Sequence, residues 1–188
     1  MYVVIEGIDT AGKSTQLNIL KEKYQEAIFT KEPGGTKIGL KLREMALNGE
    51  AKSKIAEMFL FLADRAEHIE EVIKANEDKV IISDRSIISG ISYASNMPLE
   101  LVTSLNLIAT SNILPTHVIL LELSSEELKK RLAEKANDSI ESRGIDYLID
   151  IQNRMKKTVE VLNLNHVFID ASLGIEEIAQ KIEDFLNE

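Results

Sequence analysis

Apolar residues along this chain follow two alternating rhythms. Short β-branched runs, Tyr2 to Glu6, Val80-Ile81-Ile82, Val118 to Leu121 and Val167 to Ile169, read as buried strands, with Ile28 to Thr30 as a weaker fifth. Between them apolar positions recur at i, i+3 and i+4. One such helical segment runs from Lys13 to about Ala27. A second opens at Ser53, an N-cap residue type, and sets Ile55, Phe59, Leu62, Ala66, Ile69 and Ile73 on one stripe. Such a stripe suits a core and a subunit interface equally. Ser124-Ser125-Glu126-Glu127 opens a further helix in capping-box style, and Ile175 to Leu186 closes the chain as an amphipathic helix. Strands alternating with helices predict an α/β fold, a parallel sheet covered on both faces. No repeat, linker or low-complexity tract divides residues 1–188, which read as a single domain. The polar stretch from Glu134 to Gly144, EKANDSIESRG, fits no element; it reads either as a solvated loop or as a lid over a site.

Composition narrows the chemistry. Of the 188 residues, 44% are hydrophobic, enough for a true core, and the absence of cysteine excludes disulfides, thiolate catalysis and thiolate zinc sites. No apolar run approaches the roughly 20 residues that cross a bilayer, and the N-terminus MYVVIEG lacks signal-peptide character, so no membrane is expected and the cytoplasm is the default compartment. The net charge of −9 argues against a nucleic-acid partner, which needs clustered cations, but a small phosphorylated ligand needs only a few.

The sequence Gly7-Ile8-Asp9-Thr10-Ala11-Gly12-Lys13-Ser14 matches G-x-x-x-x-G-K-[ST], with a strand before and a helix after. Its glycines let backbone N–H groups turn inward around phosphate oxygens. Lys13 is then the ligand of the β- and γ-phosphates, and Ser14, next to Thr15, the ligand of Mg²⁺. GTPases, ATPases and kinases share this loop, but the guanine-reading N-K-x-D is absent. Asp84-Arg85 follows a strand, where open α/β sheets bind ligands; Asp84 suits Mg²⁺ and Arg85 a pair of phosphoryl groups. Glu57, Phe61, Arg65 and His68 make a second face of the helix from Ser53. Phe61 beside Arg65 suits a ring-bearing monophosphate, although periodicity alone favours a core phenylalanine beside a surface arginine. The run Thr30-Lys31-Glu32-Pro33-Gly34-Gly35-Thr36 forces a sharp turn, and a cationic helix with Lys37, Lys41 and Arg43 follows. The histidines at 68, 117 and 166 show no metal-ligand spacing.

Taken together, the phosphate loop with Glu6 and Gln16, the EPGGT turn, Phe61 to Arg65 (FLADR), and Asp84-Arg85-Ser86 through Ser89-Gly90 to Tyr93 resemble the thymidylate kinase family of P-loop nucleoside monophosphate kinases, over nearly the whole chain. The resemblance implies a three-layer P-loop NTPase fold, a five-stranded parallel sheet flanked by helices with a short lid, and a homodimer. It implies transfer of the γ-phosphoryl of MgATP to dTMP, in dTTP synthesis. Phe61 then matches the residue stacking on thymine, Arg43 and Arg65 the acceptor-phosphate ligands, and Asp9 the carboxylate at the sugar 3′-hydroxyl. Tyr93 matches the aromatic that crowds out a ribose 2′-hydroxyl, Arg85 the arginine between the two phosphates, and Glu32-Pro33 a cis-proline turn. Ser89 and Gly90 belong to the same acceptor wall. Some members carry an arginine at the position of Thr10; members without it use a lid arginine, for which Arg143 is the candidate here. Ser86 stands where tyrosine or histidine is commoner, and Gly90 has no side chain to read the base edge.

Phosphoryl transfer needs in-line positioning and neutralisation of spreading charge, with lid closure keeping water out. Two other readings of the loop are another monophosphate or deoxynucleoside kinase, and a nucleotide-dependent ATPase switch. A nucleoside acceptor would not need Arg43 and Arg65, and a switch calls for an early signature lysine where Ile8 and Thr10 stand.

Overall fold

Val3, Val4 and Ile5 are fully buried, as are Val118 to Leu121, because both strands lie inside a sheet covered on two faces. In the computed structural model, which describes residues 1–135 and 144–188, the strands are β1 (Tyr2–Glu6), β2 (Ile28–Lys31), β3 (Ile81–Asp84), β4 (His117–Glu122) and β5 (His166–Asp170). They form one five-stranded parallel sheet in the order β2-β3-β1-β4-β5. The helices are α1 (Lys13–Lys23), α2 (Lys37–Leu47), α3 (Lys54–His68), α4 (Ile87–Tyr93), α5 (Leu99–Ala109), α6 (Ser125–Lys135), α7 (Gly144–Val161) and α8 (Ile175–Leu186). The α/β class, the parallel sheet and its five strands agree with the sequence reading.

The differences have local causes. The first helix stops at Lys23 instead of about Ala27: Tyr24 leaves helical geometry, and Ala27 turns back so that Ile28 N–H reaches Val80 O at 2.8 Å and β2 pairs with β3. β2 is an edge strand with half-buried side chains, which is why its apolar signal is weak. Ser53 does cap α3, accepting from Ala56 N–H, and the helix continues as a π-helical turn, Ile69–Ile73. The apolar stripe of that segment divides. Leu62, Ile69 and Ile73 enter the core, while Ile55, Phe59 and Ala66 face outward.

Parallel pairing brings the functional loops to one edge. Ile5 is level with Asp84, and Asp84 with Lys31, so the segments after β1, β2 and β3 leave the sheet side by side. Glu32 N–H donates to Asp84 O (2.9 Å) and Arg85 N–H to Ile5 O (3.1 Å), which ties these exits together.

Candidate functional site

The loop from Gly7 to Gly12 turns tightly from β1 into α1. Gly7 has φ 150°, and a Cβ there would lie 2.9 Å from Leu121 O, so no larger residue fits. Gly12 is left-handed and caps α1, and Thr10 is also left-handed at φ 64°. Lys13 is buried, and its ammonium donates to Gly7 O (2.9 Å) and Ile8 O (3.1 Å). Burial, then the neighbouring Arg85 charge, pushes its pKa down to about 8, against the pull of Asp84, Glu6 and Asp9. Ser14 and Thr15, at the start of α1, are exposed.

Ser14 and Asp84 line the same cavity, about 330 Å³, together with Thr30, Gly34 and Gly35 of the neighbouring turn. Asp84 Oδ1 is buried without a hydrogen-bond donor. An orphaned carboxylate oxygen on a residue that lines a cleft together with a serine fits a hard divalent cation completed by water and phosphate oxygens. Among the described residues no cluster of three or more His, Asp or Glu side chains could hold a metal without such outside ligands.

Arg85 leaves β3 with left-handed backbone, φ 73°. Its Nη1 donates to Ser89 Oγ at 2.9 Å, and its guanidinium lies 5.4 Å from the Tyr93 ring centroid. Burial opposes its charge, but Tyr93, Glu6 and Asp84 outweigh burial and hold its pKa above the ordinary arginine value. Ser86 caps α4 through Ile88 N–H.

The acceptor-side turn is gripped by α3. The Glu32-Pro33 peptide is cis, as the resemblance implies. Arg65 Nε donates to Glu32 Oε2 (2.8 Å), Nη1 to Asn106 Oδ1 (2.6 Å) and Nη2 to Ser86 O (3.2 Å). His68 bridges Glu32 Oε1 (2.8 Å) and Thr30 Oγ1 (2.7 Å). Asp64 Oδ1 accepts Gly34 N–H at 2.8 Å. Burial is the largest influence on Glu32 and raises its pKa, but Arg65 and His68 together reverse that and hold the carboxyl below its ordinary range. Arg43, on α2, donates to Pro33 O at 2.9 Å. Phe61 is half-buried on the same helix as Arg65, one turn earlier.

Thus Asp9, Lys13, Ser14, Glu32, Pro33, Asp84, Arg85, Ser89 and Tyr93 gather around one edge, with Arg43, Phe61, Arg65 and Gly90 along the side formed by α2, α3 and α4. The core phenylalanine beside a surface arginine that periodicity favours is not what the structure has: Arg65 is buried, only 4% exposed, and Phe61 is half-buried. Arg143 and most of the expected lid lie outside the described residues. Sequence reasoning gave no role to Asp64, Asn106 or Arg131, and named His68 only as part of a helix face. Asp64 and His68 sit on the helix face already singled out. Asn106 is a polar residue on the buried side of an apolar helix, one turn from Val102, and that mismatch was its only signal. Arg131, on α6, joins Thr10 O (3.0 Å) to Ala171 O (2.6 Å), a tie to the phosphate loop that nothing in the sequence marks.

The chain is similar to known proteins over nearly its whole length. The family model described as thymidylate kinase matches residues 5–182. A thymidylate kinase of Aliarcobacter butzleri is 73% identical over 187 residues, covering 100% of this chain and 99% of that protein. One of Wolinella succinogenes is 54% identical over 182 residues, covering 97% and 96%. The crystal structure of thymidylate kinase from Ehrlichia chaffeensis has the same fold, with a TM-score of 0.79 at 21% identity over 100% of this chain and 98% of that one.

Proposed function

This chain belongs to the thymidylate kinase family, and from that premise we infer that it transfers the γ-phosphoryl group of ATP to dTMP, giving dTDP and ADP. The observation that carries the reading is the meeting of the phosphate loop, Asp84-Arg85 and the Glu32-Pro33-Gly34 turn at the ends of three adjacent strands. A donor polyphosphate and an acceptor phosphate can then approach end to end.

An oxygen of the dTMP phosphate attacks the γ-phosphorus, a new P–O bond forms, and the bond to the β,γ-bridging oxygen breaks to release ADP. The chain's part is positioning and charge. The N–H groups of Gly7 to Thr15 cradle the donor phosphates, and Lys13 exchanges its loop carbonyls for β- and γ-oxygens. Arg85 lies between donor and acceptor and meets the charge that spreads in the transition state. Arg43 takes the acceptor phosphate. Arg65 directs three of its five N–H groups at Glu32, Asn106 and Ser86 O, which fixes its plane and leaves the others for the acceptor nucleotide. Phe61 stacks on thymine, Asp9 meets the 3′-hydroxyl, and Tyr93 excludes a 2′-hydroxyl. Ser89 and Gly90 form the wall behind Arg85 and Arg65. Ser14 and Asp84 hold Mg²⁺, which when bound neutralises donor phosphate charge. Arg143 is the lid arginine that completes the site.

The chain works as a homodimer. Large exposed apolar side chains concentrate on α2 (Ile38, Leu40, Met45, Leu47), α3 (Ile55, Phe59) and α5 (Leu101, Ile108), three neighbouring helices. The cytoplasm, where ATP and nucleoside monophosphates reside, is the compartment this reading assigns; no described helix is long and apolar enough to cross a membrane. Purified protein incubated with ATP, Mg²⁺ and dTMP will yield dTDP and ADP by anion-exchange chromatography. Phosphorylation of thymidine or another monophosphate with none of dTMP would overturn the reading.

A further inference from the structure

Glu6 is the last residue of β1, just before the phosphate loop, and its carboxyl group is wholly buried. It has three donors. Ser86 Oγ (2.8 Å) and Ser89 N–H (3.3 Å) reach Oε1, and Ser89 Oγ reaches Oε2 at 2.6 Å. The same Ser89 Oγ receives Arg85 Nη1 at 2.9 Å. A guanidinium only donates and an ionised carboxylate only accepts, whereas a hydroxyl has one proton and two lone pairs. Ser89 must therefore give its proton to Glu6 and turn a lone pair to Arg85. The chain has a direction, from the Arg85 guanidinium through Ser89 to Glu6, whose pKa burial raises while Arg85 and the Ser89 and Ser86 bonds favour its carboxylate. Such bonds are shorter and stronger than neutral ones.

Resting on the role given to Arg85 above, we propose that Glu6 is a positioning residue for phosphoryl transfer, which aims the Arg85 guanidinium by fixing the Ser89 hydroxyl. Arg85 needs such a hold. Its backbone is left-handed, and Ser89 Oγ on one side and Tyr93 on the other set the direction of its side chain. Glu6 also offsets the two cations, Lys13 and Arg85, that repel each other beside it, which ties its charge to the reacting end of the loop. A purely structural role, joining β1 to the start of α4 through Ser86, would act on folding and leave Arg85 untouched.

A double-mutant cycle separates the two. Glu6→Gln presents an amide that donates as well as accepts, so the Ser89 proton is released from its direction; Ser89→Ala removes the relay. Each is expected to lower kcat about 10- to 50-fold, a fraction of the loss of the arginine itself, with KM for ATP and dTMP changed less than about threefold. In an Arg85→Ala background neither substitution should lower kcat further, because the group they aim is gone. Losses that multiply fully with that of Arg85→Ala, or a wild-type kcat in both single variants, overturn the proposal alone. A wild-type kcat in Arg85→Ala overturns the role of Arg85 and this proposal with it. If Glu6→Gln does not fold, the cycle of Ser89→Ala with Arg85→Ala decides by the same criterion.

Discussion

Asp64 is a buried carboxyl whose charge the fold tolerates badly. Burial, only partly offset by the Gly34 N–H bond and reinforced by Glu32, raises its pKa from 3.8 to about 6. A carboxyl raised in the folded state favours the fold in its neutral form; that contribution is complete below 3.8 and disappears as the pH rises through about 6. At pH 7.5 the ionised group therefore costs the fold on the order of 2–3 kcal/mol. Asp64→Asn keeps an oxygen for Gly34 N–H and removes the charge. It should raise the melting temperature by about 5 °C at pH 7.5 and by almost nothing at pH 4. Equal shifts at the two pH values in differential scanning fluorimetry would contradict the assignment. Arg85 belongs to the same scale but to rate: Arg85→Ala should lower kcat by roughly 10²- to 10³-fold, as removal of one transition-state donor does, with the fold intact by circular dichroism. An unchanged kcat would refute its place between the phosphates. Arg85 and Lys13 were legible because motif spacing reports backbone geometry. Asp64 and His68 were not, since their partners Gly34, Glu32 and Thr30 lie some thirty or more residues away and come near only when α3 packs on the turn.

α4 shows how an element's surface can matter more than its stability. Gly90 lies within it, and a Cβ there would stand 2.7 Å from both Arg65 Nη2 and Asn106 Oδ1, and closer still to Arg65 Nη1. Alanine in mid-helix ordinarily gains about 1 kcal/mol over glycine. Here that gain is set against displacement of an arginine held by Glu32 and Asn106, both buried. Gly90→Ala is expected to raise KM for dTMP at least tenfold and to leave KM for ATP within about twofold. Equal effects on both substrates would show that Arg65 does not serve the acceptor. The element pattern itself was readable where strands are enclosed: β1 and β4 carry the apolar runs Tyr2 to Ile5 and Val118 to Leu121 because both faces are covered. It was weakest at β2, whose edge position leaves half-exposed residues, and at the end of α1, where strand pairing rather than helix propensity sets the stop. The glycine at 90 read from sequence as a missing base contact, whereas in the fold its bareness makes room for Arg65.

For the whole molecule, periodicity could not say what covers an apolar stripe, because the pattern reports polarity and not the neighbour. Leu62, Ile69 and Ile73 go to the core, but Phe59 is 53% exposed on α3 and Ile108 75% exposed on α5. An isolated exposed leucine needs no explanation, but eight large apolar side chains on three adjoining helices do. The net charge of −9 makes this concentration more telling, since a chain with 31 acidic residues has no shortage of polar groups to place there. A second copy of the chain is the covering partner in the dimer reading. Burying a phenylalanine contributes about 1.5–3 kcal/mol, and a carboxylate forced into the same contact costs several. The wild type should therefore sediment at twice 21.0 kDa, and Phe59→Glu at the monomer mass. Val161→Glu, at an equally exposed apolar position on α7 away from these helices, should remain dimeric and shows whether added charge alone has an effect. A monomeric wild type would remove the dimer, and a dimeric Phe59→Glu would move its interface off α3.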